Sequence, residues 1–197
     1  MESMKGLFNG SKTLYIHANN ASDMLDVIVF ANDFKIIKTV IVGAEDALKI
    51  IDVLKENNIS LILNRVHRLP SSGDRPVDEP FSQAAKLQEV GILFCLSYEG
   101  DMEAMGARNL PFSAGTAVAY GLDYEDAISA ITLNTAKILG IDKYCGSIER
   151  GKDASFFIST GDALDMRTNN VEKAYIKGKA VDLNNHQKEL FEKYKNR

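Results

Sequence analysis

Thr132-Leu133-Asn134-Thr135-Ala136-Lys137-Ile138-Leu139-Gly140, followed shortly by Gly146-Ser147-Ile148-Glu149-Arg150-Gly151-Lys152-Asp153-Ala154, is the stretch that decides the fold. Asn134 stands where a side chain can cap a short helix with Ala136, Ile138 and Leu139 on its apolar face. Gly140 can end that helix, because glycine accepts the left-handed conformation of a helix C-terminus. Gly146 and Gly151 bracket a tight turn, and Ser155-Phe156-Phe157-Ile158 beyond it has the apolar, β-rich character of a strand. Physically this is a helix handing the chain to a sheet, so the layer that the helix packs against must come from earlier residues.

Those earlier residues alternate between two kinds of segment. Thr13-Leu14-Tyr15-Ile16-His17-Ala18, Lys38-Thr39-Val40-Ile41-Val42-Gly43, Ser60-Leu61-Ile62-Leu63 and Gly91-Ile92-Leu93-Phe94-Cys95-Leu96-Ser97 are apolar runs without polar alternation. Helical patterns lie between them: Met24, Ile28 and Ala31 share one face, Ala47, Ile50, Ile51 and Leu54 another, and residues 81–90 form a third helix. Strands of this kind, each separated by a helix, predict a parallel sheet covered on both faces, with chemistry gathered at the strand C-termini. The connection over residues 64–80 is long and rich in Pro, Ser, Gly and Asp, which suits either a lid or a disordered loop. Asn109-Leu110-Pro111 opens a helix of small residues, and Asp123 caps the helix at 124–131. Residues 155–159, 171–177 and 180–183 read as a short antiparallel set turned at Lys177-Gly178-Lys179, and 187–195 as a terminal helix.

Composition bounds the function. A chain of 197 residues with 45% hydrophobic content can bury a core. Its 27 acidic and 23 basic residues give a net charge of −4, without the basic footprint that nucleic acid requires. Cys95 and Cys145 are isolated thiols with neither metal nor disulfide spacing, as in a reducing compartment. No apolar run approaches a membrane span, and the start leads into no signal-peptide core, so the chain reads as cytoplasmic, with a leader on a longer precursor left open.

T-x-N-x-A-x-x-L-G followed by G-S-I-x-x-G-K-D-A resembles the C-terminal signature of the amidohydrolase superfamily, close to its imidazolonepropionase-like branch. The resemblance implies an α/β chain: the C-terminal half of a (β/α)8 TIM-type barrel, strands 5 to 8, over residues 1–140. Part of a small β-sandwich follows over 141–184, then a tail helix over 185–197. Since a whole barrel takes about 250 residues, the first four strands would lie outside this sequence. It further implies a divalent metal, zinc first, in the full-length parent and none bound by this half alone. The metal activates a water that hydrolyses a non-peptide C–N bond of a cyclic amide or similar small substrate.

Carried over by position, His17 in His17-Ala18-Asn19 matches the metal-binding His of strand 5. The strand-6 His falls at Gly43, which cannot ligate. The proton-transferring Asp of strand 8 falls near Glu99, with Asp101 as the alternative. His67, Arg65 and Arg108 are candidates for substrate contact. The rival expectation is a degenerate barrel half that binds a ligand or partner without catalysis. Either way the open sheet edges invite pairing with the missing N-terminal half or with a second copy.

Overall fold

The computed structural model describes residues 2–99 and 103–195. A 3-10 turn (Glu2–Met4) and α1 (Lys5–Phe8) lead into β1 (Leu14–Ala18), α2 (Ala21–Asp33) and β2 (Thr39–Gly43). A second 3-10 turn (Ala47–Lys49), α3 (Ile51–Glu56), β3 (Ser60–Leu63), α4 (Glu79–Glu89) and β4 (Phe94–Leu96) follow. Next come α5 (Glu103–Gly106), a 3-10 turn (Ala107–Asn109), α6 (Leu110–Ala119), α7 (Tyr124–Ile131) and α8 (Leu133–Leu139). Last are β5 (Phe156–Ser159), β6 (Val171–Ile176), β7 (Lys179–Ala180) and α9 (His186–Tyr194).

The first four strands form one sheet in the order β1-β2-β3-β4, parallel throughout. Each β-to-β connection contains a helix, as a parallel pairing demands. One face of the sheet is fully covered: Ile41, Leu61, Leu63, Phe94 and Leu96 are buried with Met24 and Ile28 of α2, Leu54 of α3 and Leu87 of α4. The opposite face is covered only at its base, where Ile138 of α8 packs on Val40 and Cys95 and the carbonyl of Ile138 accepts the Tyr15 hydroxyl at 2.8 Å. Further along the strands Val42 and Ile62 are half-buried and His17 is exposed.

The second sheet is antiparallel, β5-β6-β7, turned at Lys177 and Gly178, both at positive φ. No helix among the described residues is long and apolar enough to cross a membrane.

Some local expectations change. Thr132, not Asn134, stands at the N-cap of α8: α7 runs to Ile131, so the chain turns on Thr132 alone and Asn134 falls inside the helix. Leu139 is half exposed, leaving Ala136 and Ile138 as the buried face, while Gly140 ends the helix at φ +71° as expected. The helix expected from Ala47 is broken at Ile50, because Lys49 folds back on Asp46 through a 3-10 turn.

Candidate functional site

In a parallel sheet every strand delivers its next residues to the same end. Here that end gathers His17 and Asn19 from β1, Gly43 and Glu45 from β2, Asn64 from β3, and Ser97 and Glu99 from β4. The register fixes their relative heights: His17 is level with Val42, Ala18 with Gly43, Gly43 with Leu63, and Leu63 with Leu96. The Ser97 hydroxyl donates to the Leu63 carbonyl at 2.7 Å, so the exit of β4 is tied to β3. Beyond it, Glu99 comes within 3.7 Å of His17 Nδ1, with the two side chains 72% (His17) and 44% (Glu99) exposed. Two of the expected site residues thus meet across the width of the sheet, although they are far apart in sequence. Asp101 lies outside the described residues.

The long connection after β3 is ordered and pinned. Arg68 and Arg75 are nearly buried, and each faces carboxylates: Arg68 approaches Glu45 at 3.7 Å and Gln83 at 3.3 Å, while Arg75 binds Asp46 at 2.7 Å, Ser71 at 2.7 Å and Glu79. Burial pulls the Arg68 guanidinium below its ordinary value against the opposing charge of Glu45. Burial would raise Asp46, but hydrogen bonds from Lys49 and the Ala21 N–H, with the charges of Lys49 and Arg75, leave it below the usual carboxylate value. His67 bonds Thr116 of α6 through Nε2 at 2.7 Å, with its ring edge against Phe81. Arg65 is half-buried at the start of this loop and Arg108 is exposed just before α6.

Sequence reasoning missed Asn19, Glu45, Asn64 and Arg68. Three of them lie one or two residues beyond a strand end, a signal that was readable. Arg68 carried no local signal, since its partner Glu45 belongs to a different loop.

The donor set bears on the divalent metal that the sequence resemblance implies. The chain has three histidines. His67 is engaged by α6 and His186 sits on the exposed α9, so His17 is the imidazole of the strand ends. Among the described residues no three His, Cys, Asp or Glu side chains are grouped to hold one ion. A catalytic zinc takes three protein ligands and an open position. The described donors of this chain do not fit that requirement by themselves.

Known proteins share this fold. An amidohydrolase from Thermotoga maritima MSB8 superposes with a TM-score of 0.76 at 31% identity, over 92% of this chain and 46% of that one. An adenosine deaminase from Xanthomonas campestris with bound zinc superposes with a TM-score of 0.58 at 19% identity, over 99% of this chain and 52% of its own. The imidazolonepropionase of Flavobacterium psychrophilum is 28% identical over 109 residues, which is 52% of this chain and 26% of that protein. The chain therefore spans about half or less of the length of these relatives. Residues 11–181 match the model of the Amidohydrolase family, and with a match of that extent over strands that converge on His17 and Glu99, the chain belongs to the amidohydrolase family.

Proposed function

We propose that this chain is the C-terminal half of a family barrel, supplying its strands 5 to 8. Joined to a complementary half, in a longer polypeptide or as a separate chain, it would form a hydrolase of non-peptide C–N bonds. A cyclic amide or similar small molecule of the imidazolonepropionase-like kind is the substrate class, and the cytoplasm the working compartment. The observation that carries this reading is the approach of Glu99 to His17 at the exits of β4 and β1. Alone the chain is inactive, because its described donors do not complete a catalytic centre. In the joined protein a divalent ion, zinc first, would have His17 as its donor from this half.

The chain's own chemistry lies at Glu99. Its carboxylate takes a proton from the attacking water as the C–O bond forms, then gives it to the nitrogen as the C–N bond breaks, so the proton count is conserved. The neighbouring imidazole of His17 steadies the carboxylate. The nearly buried Arg68 and Arg75 fix the loop after β3 beside this opening.

A second reading is favoured by Gly43, which stands where the resemblance sets the strand-6 His and offers no side-chain donor: a degenerate half that binds a ligand or a partner without turnover. Assaying the joined protein against cyclic amides and imides separates the two. Hydrolysis that falls about 10²- to 10⁴-fold in Glu99→Gln is expected. Binding without turnover, or turnover untouched by Glu99→Gln, would reject the catalytic reading.

A further inference from the structure

We infer that the corner after β2 is a closed amide clasp, built where the family resemblance places a ligand, and that this half offers a cation no imidazole other than His17. The inference rests on the family reading for its alignment of Gly43. Its evidence is the local geometry.

Gly43 and Ala44 follow one another in the left-handed region, at φ +103° and +54°. Asn19, from the loop after β1, fills the space that a side chain on residue 43 would need: its Oδ1 lies closer to the Cβ direction of Gly43 than any real contact allows. Asn19 is itself held in place. Its carbonyl accepts the Asp46 N–H at 2.8 Å, and the neighbouring Ala18 carbonyl accepts the Ala44 N–H at 2.9 Å. The Asn19 side-chain oxygen accepts from Asn64 Nδ2 at 3.3 Å, and the same Nδ2 donates to Glu45 at 3.0 Å. The Asn64 N–H reaches the Gly43 carbonyl at 3.2 Å.

Turning the Asn64 amide over would set its oxygen against two acceptors, which fixes its orientation and leaves Oδ1 buried without a partner. The exits of β1, β2 and β3 are therefore tied into one hydrogen-bonded unit, with Glu45 held by Asn64 and Arg68. A larger residue at position 43 must push aside the exposed Asn19 side chain, breaking its bond with Asn64, and adopt a strained backbone, so Gly43→His opens the clasp and creates no ligand.

The test reads metal content and melting, so it can fail while the catalytic reading survives, and the reverse. The 197-residue chain is loaded with zinc ions, dialysed against a weak chelator, and compared with His17→Ala, Gly43→His, Gly43→Ala and Gly43→Ala with Asn19→Ala. Expected are less than about 0.1 zinc per chain in every sample. A fall in Tm of roughly 5 °C or more in Gly43→Ala is expected, with about half of it recovered when Asn19→Ala removes the obstructing amide. If Gly43→Ala yields no folded protein, recovery of folded material in the double variant is the same readout. About one zinc per chain that persists in His17→Ala, stoichiometric zinc in Gly43→His, an unchanged Tm in Gly43→Ala, or no recovery in the double variant would each overturn the inference.

Discussion

Cys95 carries a thiol in the middle of β4, buried against Val40 and Ile138, and burial pushes it up to about 11. A hydrogen bond with Thr135 works in the opposite direction without overcoming this. A raised thiol favours the neutral folded form, so its contribution to stability is complete below the unfolded value near 8.5 and is lost as the pH climbs toward 11. Native thiol titration at pH 8 should find one reactive group, the half-buried Cys145, with Cys95 appearing only in denaturant. Two fast thiols would contradict the packing of α8 on the sheet. His17 is the opposite case. Exposed, and facing Glu99 only at 3.7 Å, it adds little to folding, so His17→Ala should leave the unfolding free energy of the chain within about 0.5 kcal/mol. A larger loss by urea titration would make it a structural histidine and weaken its place in the proposed site.

At the scale of elements, the connection from Asn64 to Asp78 separates what was readable from what was not. Its composition announces an irregular segment, and it has no regular secondary structure. What holds it, the ion pairs of Arg75 with Asp46 and of Arg68 with Glu45, spans separations of 29 and 23 positions that no local pattern encodes. Asp46→Asn should therefore destabilise the chain by about 2 kcal/mol at pH 7, since Arg75 keeps Glu79 and Ser71 while losing one carboxylate. Because the folded Asp46 sits below its ordinary value, that difference is present above about pH 4 and should shrink as the pH falls through that range. A pH-independent difference would show that the charge of Asp46 is not what matters. The strand runs, the Gly140 stop and the Asp123 cap, which accepts the Glu125 and Asp126 N–H groups, were legible because each is decided within a few residues. The pairing of His17 with Glu99 followed only by aligning strands, and the amides of Asn19 and Asn64 followed from nothing local, since their partners lie on other loops.

For the whole molecule, the central fact is a parallel sheet finished on one face and unfinished on the other. β1 has no partner beyond it among the described residues. Because the Leu14 N–H points to the Lys38 carbonyl just before β2, alternation sends the Tyr15 and His17 N–H groups outward to the free side. We propose that a complementary set of strands, rather than a second copy, covers that edge: α8 already floors the open face beneath Val40 and Cys95, and a closed pair of copies would bring two such helices to one floor. A complementary set of strands without its own floor helix has no such conflict. Further apolar surface is exposed at Phe156, Phe157 and Ile158 of β5 and at Ile148. In hydrogen exchange on the isolated chain, the Tyr15 and His17 amides should therefore exchange within the fastest class while Ile41 and Leu61, at the sheet centre, stay protected. Light scattering should show a mass that does not settle at two chains. Protected β1 amides in a stable monomer, or a discrete dimer that protects them, would mean that this chain closes its own edge and needs no complementary half.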